Sequence, residues 1–354
     1  MTAAVKTSTG NFFEDFRIGQ TLAHATPRTL TNGDQALYTA LYGPRFALQS
    51  ADSFAKSLGR PASPLDDLLV FHTVFGKTVP DISLNAVANL GYAEGRFLKP
   101  VYPGATLSAH TEVIGLKENS NRQTGVVYVR TLGVDDAGDT VLSYVRWVMV
   151  RKRDAAAVVG GALVPKLAEA VPVASLIAPP TLRPGAFDCV LSGSPHLWDD
   201  YAKGEKINHV DGITVEEAEH MMATRLYQNT ARVHFNQFSE GKGRFGRRLI
   251  YGGHVISLAR ALSFNGLGNA LQIAAINGGR HVNPLFAGDT VFAWSEVLDR
   301  AIMDDRDDWG ALRLRLVALK NLPSEGFPDR NADGQYPENI ILDFDYWAWM
   351  PRRV

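Results

Sequence analysis

The chain repeats itself. The segment Phe13-Glu14-Asp15-Phe16-Arg17-Ile18-Gly19 returns as Trp198-Asp199-Asp200-Tyr201-Ala202-Lys203-Gly204, 185 positions later. Lys99-Pro100-Val101-Tyr102-Pro103-Gly104-Ala105-Thr106 returns as Asn283-Pro284-Leu285-Phe286-Ala287-Gly288-Asp289-Thr290 at a displacement of 184, and Leu41-Tyr42 as Leu226-Tyr227 at 185. Three matches in one order at a nearly constant offset point to a duplicated unit. Each copy has an ordinary domain size of about 150 residues, with boundaries predicted at 1–153 and 197–354. Residues 154–196 between them are rich in Ala, Pro, Val, Gly and Ser. Pro165, Pro172, Pro179, Pro180, Pro184 and Pro195 remove amide donors and fix φ. An extended surface connector without regular helix or central strand is predicted there.

Within each copy an acid–aromatic–Gly turn leads to a Thr-rich helix start, with Thr29, Thr31 and Asp34 in the first and Thr214, Glu216 and Glu217 in the second. Such side chains accept the free amides of a first helical turn. Helices are predicted over Gln35–Tyr42 and Glu217–Leu226, and more apolar ones over Leu68–Val79 and His254–Ser263. After the Pro–Gly turn, Thr106–Val113 and Thr140–Val150 alternate with a period of two, the signature of strands. Long helices against a mostly antiparallel sheet make an α+β layered fold.

Composition narrows the function. Apolar residues make up 45 % and charged residues 21 % of the chain, the balance of a soluble globular protein. A formal net charge of −1 supplies no global field for nucleic acid or an anionic membrane, so a phosphorylated ligand must be met by local basic clusters. The single cysteine, Cys189, excludes an intramolecular disulfide and a cysteine metal cluster. The opening MTAAVKTSTGNFFEDF has no long apolar stretch, and no run of about eighteen apolar residues follows. A cytoplasmic protein with neither membrane nor nucleic-acid partner is expected.

The opening FEDFRIGQT, with Arg28-Thr29 and Asp34, and the turn Phe97-Leu98-Lys99-Pro100-Val101-Tyr102-Pro103-Gly104 resemble the MaoC-type hydratases, the hydratase-2 family. The resemblance covers nearly the whole chain. The strings DDLLVFHTVFGKTVPDISLNAVANLGYAEGRF, RLYQNTARVHFNQF and GRFGRRLIYGGH are similar to the branch of that family acting on mesaconyl-CoA. The resemblance implies a tandem (double) hot-dog fold, antiparallel sheets wrapping central helices. It implies reversible syn hydration of mesaconyl-CoA to β-methylmalyl-CoA, a hydro-lyase step of the ethylmalonyl-CoA pathway. It also implies no metal and no cofactor beyond the CoA that the substrate carries.

In that family a Gly-Asp-x-Asn-Pro-aliphatic-His segment follows the first helix, and its Asp and His hold the water and exchange its protons. The second copy reads Gln228-Asn229-Thr230-Ala231-Arg232-Val233-His234, with His234 in place and Asn229 where the Asp would stand. The first copy reads Gly43-Pro44-Arg45-Phe46-Ala47-Leu48-Gln49 and has neither. The second copy is therefore predicted to carry the active site. Hydration needs a base for water, an acid for Cα and donors for the enolate oxygen. Imidazole can take and return a proton near neutrality, whereas an amide only orients water. His234 is the predicted proton carrier and Asn229 the water-positioning group. Glu240, Tyr227, Tyr251 and His254 are candidates for a second acid or base.

Tyr251-Gly252-Gly253-His254 begins the second copy's central helix. Free amides and close backbone approach at such a start make an oxyanion hole, assigned to Gly252 or Gly253. A second substrate carboxylate calls for an arginine. Arg232 and Arg248 lead, with Arg244, Arg247, Arg280 and His281 behind, and Arg151-Lys152-Arg153 is a candidate for CoA phosphates. Three other readings compete: an (R)-specific enoyl-CoA hydratase of broader specificity, a hot-dog thioesterase, and a non-catalytic acyl-CoA binder. A thioesterase would want a carboxylate on the central helix, and YGGHVISLARAL has none. The binder is suggested by the missing Asp and opposed by His234 and the basic cluster. Paired units in one chain already mimic a family dimer, and a further homo-oligomer stays open.

Overall fold

A computed structural model of the chain describes residues 6–178, 183, 185, 187–303 and 306–353; Pro179, Pro180 and Pro184 of the connector lie outside these. The first copy supplies strands β1 (Thr21–Thr29), β2 (Ala86–Phe97), β3 (Thr106–Glu118), β4 (Thr124–Val134) and β5 (Thr140–Arg151). The second supplies β6 (Lys206–Thr214), β7 (Gln272–His281), β8 (Thr290–Met303), β9 (Arg306–Lys320) and β10 (Ile340–Pro351). They form one sheet in the order β1-β3-β4-β5-β2-β7-β10-β9-β8-β6. The two halves have the same internal order, reversed about the β2–β7 seam. There Tyr92 pairs with Gly279, Ala93 with Gly278, Gly95 with Ile276 and Arg96 with Ala275, antiparallel. This is a double hot dog.

Four helices position the site: α1 (Asn32–Tyr42), α2 (Asp67–Thr78), α3 (Glu217–Leu226) and α4 (Gly252–Leu262). Every residue of α2 from Leu68 to Thr78 is buried, as its apolar sequence demands of a helix enclosed on all sides. Helix α1 starts on a reciprocal cap. The Thr31 amide donates to Asp34 Oδ2 at 2.8 Å, and the Asp34 amide to Thr31 Oγ1 at 3.4 Å. Helix α3 spans the residues expected of it, with Glu216 rather than Thr214 directly ahead of it; the Glu216 amide donates to Glu219 Oε2 at 3.4 Å. Gly43 closes α1 in the left-handed region at φ 59°. Its counterpart Gln228 adopts φ 51° after α3, where a β-carbon makes that conformation cost roughly 1–2 kcal/mol.

One apolar cluster runs through both copies and includes Leu68, Phe71 and Val74 of α2, Ile256 and Leu258 of α4, and Phe344 of β10. Strand alternation leaves Trp347 and Trp349 on the opposite face, where Val171 and Leu176 of the connector are buried with them. The Val171 amide donates to Asn277 Oδ1 at 2.8 Å, and Trp347 Nε1 donates to the Val171 carbonyl at 3.2 Å. The connector is therefore built into the sheet's outer face. It also contains a short helix, Cys189–Ser192, capped by Asp188, in a stretch predicted to lack one; Asp188 satisfies the first amides. No helix among the described residues is long and apolar enough to cross a membrane.

The copies also touch backbone to backbone. Arg28 donates to the Leu226 carbonyl and pairs with Asp34. A β-carbon on Gly76 of α2 would fall 1.8 Å from the Tyr227 carbonyl oxygen and 3.5 Å from the Asn229 amide. Gly76→Ala is therefore expected to destabilise the fold by about 1–3 kcal/mol, the usual cost of overpacking. Denaturant melts would check this. A neutral result would mean that the catalytic segment can retreat from α2 without strain.

Candidate active site

A cavity of about 660 Å³ opens where the start of α4 meets the far end of α2 and the start of β2. Asn229, Arg232 and His234 line it from the catalytic segment, Tyr251 and Gly252 from the α4 start, and Phe75 and Arg146 from the first copy. Neither copy alone encloses it.

His234 lies in a single 3-10 turn, Arg232–His234. Its Nδ1 lies 2.9 Å from the Leu249 carbonyl. A carbonyl only accepts, so Nδ1 carries the hydrogen and Nε2 keeps its lone pair. Burial pushes the imidazole down to about 4, which keeps it neutral, with its Nε2 lone pair free, at pH 7. Asn229 is buried, and its Oδ1 accepts from the Ala231 amide at 2.9 Å. That bond occupies the oxygen and leaves the Nδ2 hydrogens to donate.

Gly252 opens α4 and faces the cavity; a β-carbon there would lie 2.4 Å from His281 Nε2. Its amide, in the first turn, has no preceding turn to bond to. Gly253 is not a lining residue. Its glycine requirement comes from packing, since a β-carbon would meet Tyr251 Cε1 at 2.4 Å and His72 Nδ1 at 2.6 Å. The amide at the cavity is that of Gly252.

The remaining sequence candidates scatter. Glu240 lines the cavity and accepts from Ser239 Oγ at 3.0 Å. Tyr251 is buried, its hydroxyl 3.4 Å from His72 Nδ1. Tyr227 and His254 belong to a buried relay outside the cavity lining, in which Tyr227 donates to the Tyr42 hydroxyl at 2.9 Å and that hydroxyl lies 3.1 Å from His254 Nδ1. Arg232 lines the cavity but is exposed. Arg248 does not line it; the guanidinium pairs with Glu217, which also accepts from His220 at 3.0 Å. Arg151 and Arg244 line the mouth, whereas Lys152 is tied to Glu118 at 2.6 Å and Arg153 to Asp15 at 2.9 Å. Arg247 lies over the Phe286 ring, and Arg280 is exposed.

Sequence reasoning missed Tyr92 and Arg146 and ranked His281 low. Tyr92 crosses the seam from β2, its hydroxyl 3.4 Å from His281 Nε2. Among the described residues no group of three His, Cys, Asp or Glu is placed to hold a metal ion.

The first copy shows what disarming means physically. Asp66 stands where the second copy has Tyr251, and its carboxylate accepts the Leu68 amide at 2.8 Å. The chain's own carboxyl fills the helix start that α4 leaves open. Gln49, in the place of His234, donates to the Leu271 carbonyl at 2.8 Å.

Two hot-dog halves on one sheet, with a histidine and an amide side chain facing an open glycine helix start, define a MaoC-like double hot-dog dehydratase. The family model described as mesaconyl-CoA hydratase matches residues 2–325, and the chain belongs to that family. It is 62 % identical over 350 residues to the β-methylmalyl-CoA dehydratase of Chloroflexus aurantiacus, covering 99 % of each chain. It is equally 62 % identical over 348 residues to the mesaconyl-CoA hydratase of Cereibacter sphaeroides, covering 98 % of this chain and 100 % of that one. A solved MaoC domain dehydratase from Chloroflexus aurantiacus superposes with a TM-score of 0.97 at 62 % identity, over 99 % of this chain and 100 % of that one. A double-hotdog protein from Mycobacterium tuberculosis does so with 0.73 at 25 % identity, over 97 % and 99 %.

Burial holds His72 and His254 at about 3 and His209, His234 and His281 at about 4. In the unfolded chain each titrates near 6.5. As pH falls from about 6.5 toward 4 the unfolded state takes up protons that the fold refuses, so stability is lost across that window. Asp67, raised to about 8 by burial and by Asp66, and Asp66, itself raised by burial, act the opposite way, two carboxyls against these five imidazoles and that of His220, which burial also lowers. Tm should therefore fall steadily between pH 6.5 and 4. A Tm that held constant to pH 4.5 would place these imidazoles in water.

Proposed function

We propose that the chain hydrates mesaconyl-CoA to β-methylmalyl-CoA, reversibly, at the cavity of the second copy. The observation that carries this is the neutral His234, its Nε2 without a hydrogen-bond partner among the described residues, lining the same cavity as Asn229 and the open Gly252 amide. The thioester oxygen accepts from the Gly252 amide, which stabilises the enolate as it forms. Asn229 Nδ2 donates to the water oxygen. His234 Nε2 takes one proton of that water while the hydroxyl bonds to the carbon distal to the thioester. The imidazolium then returns the proton to Cα on the same face, which makes the addition syn and leaves His234 neutral. Glu240 and His281 line the same cavity and are the remaining acid/base candidates. Arg151, Arg232 and Arg244, exposed at the mouth, suit the phosphates of CoA. A carboxylate for thioester hydrolysis is missing from α4, which favours hydration over cleavage.

Mixing the protein with mesaconyl-CoA should bleach the enoyl-thioester absorbance without releasing thiol. Thiol release would make it a thioesterase, and binding without turnover a carrier. His234→Ala should lower kcat about 10²–10⁴-fold, the usual contribution of a general acid/base. Because His234 is held near 4, kcat/KM should stay level from pH 6 to 8. An inflection at 6.5 would show a solvated imidazole instead.

A further inference from the structure

Arg146 of β5 is fully buried, at 0 % exposure, yet it lines the cavity. Its Nη2 donates to Thr78 Oγ1 at 2.7 Å, both Nη atoms reach Ser83 Oγ at 3.4 Å, and the guanidinium lies 4.1 Å from the Phe75 ring centre. Its Nε is buried without a partner. The side chains that hold it are two hydroxyls and a ring, and among the described residues it forms no ion pair to a carboxylate. Five N–H donors are thus incompletely used, and a buried charge without a counter-charge is strongly unfavourable. Two half-buried arginines of the second copy differ in this respect. Arg313 pairs with Asp345 at 2.6 Å, and Arg315 with Asp329 at 2.6 Å and Asp343 at 2.9 Å.

The equivalent place at the other end of the paired helices gives an internal control. Tyr346 is the seventh residue of β10, as Arg146 is of β5, and Arg260 stands 185 positions after Phe75. The cation and the ring have exchanged places, with the Arg260 guanidinium 5.8 Å from the Tyr346 ring. Arg260, however, feels the nearby carboxyls of the half-buried Asp66 and Asp67 at the α2 start, and it donates to the Ala270 carbonyl. At that place the chain supplies acidic neighbours for its own buried cation; around Arg146 it does not.

We infer that Arg146 anchors the free carboxylate of the acyl group, and that the missing counter-ion arrives with the substrate. This rests on the proposed hydration of an enoyl thioester. It adds where the second carboxylate of that substrate, at the far end of its double bond, is held: by the first copy, while the second copy does the chemistry. A guanidinium grips a carboxylate through two parallel bonds, which also fixes the position of the carbon that water attacks. Arg232 and Arg244, exposed at the mouth, are left to the CoA end.

The test separates binding from turnover by using saturated thioesters that cannot be hydrated. Methylsuccinyl-CoA keeps the distal carboxylate and butyryl-CoA lacks it. Wild-type protein should prefer methylsuccinyl-CoA in calorimetric titration. Arg146→Gln should lose about 10²-fold of that affinity, the scale of truncating one member of a buried charge pair, and leave butyryl-CoA binding nearly unchanged. Arg146→Lys, which keeps a charge in the cavity, should fall between and serves as the test if Arg146→Gln does not fold. Equal losses for both thioesters, or no loss for methylsuccinyl-CoA, would overturn the anchor. Normal discrimination by a wild-type protein that fails to hydrate mesaconyl-CoA would leave the anchor standing and remove the reaction.

Discussion

The antiparallel pairing of β2 with β7 is the constraint on which everything else depends. Four residue pairs join two five-stranded half-sheets into one, and this sets the central helices beside each other with opposite ends adjacent. The start of α4 therefore faces the end of α2, and the cavity is the space between them. Tyr92 reaches His281 only because their strands are neighbours. The contact between Gly76 and the Tyr227 carbonyl presses the catalytic segment against the other copy's helix, so site geometry and inter-copy packing are one problem.

A buried helix start is a concentrated site for negative charge, and the two copies resolve it in opposite ways. In the first, Asp66 occupies the amides of α2, and burial raises its carboxyl. In the second, Tyr251 caps nothing with its side chain, and Gly252 leaves the amide accessible beneath the His281 ring. The two copies thus differ in which helix start is left unfinished.

Much of this was legible in the sequence because its signals are local. The acid–aromatic turns, the Pro–Gly turns and the run from Gln228 to His234 are short segments whose chemistry survives without knowledge of the fold. The α4 start was legible too, since a Gly-Gly pair before an apolar helix has few uses. Arg146 and Tyr92 were not legible: each lies in an alternating strand of the copy that lacks His234, and only the seam brings them to it. Arg248 misled because its partner Glu217 is 31 positions away, and its proximity to the motif in sequence is spent on a surface ion pair. The connector's Pro-rich composition concealed that Val171 and Leu176 are core residues, since burial there depends on tryptophans far along the chain.

The exchanged cation and ring carry a consequence for how such a chain could exist at all. In a dimer of identical subunits every substitution appears twice, so Arg146 with Phe75 could never coexist with Tyr346 and Arg260. Covalent linkage removes that bookkeeping. Expressed as two separate polypeptides, the halves would face a sorting problem. First-copy homodimers would lack the histidine, second-copy homodimers would lack the cavity arginine, and only the mixed pair would own a complete site. The connector, docked along the outer face through Val171, makes that mixed pairing the default by holding each half at high effective concentration to the other.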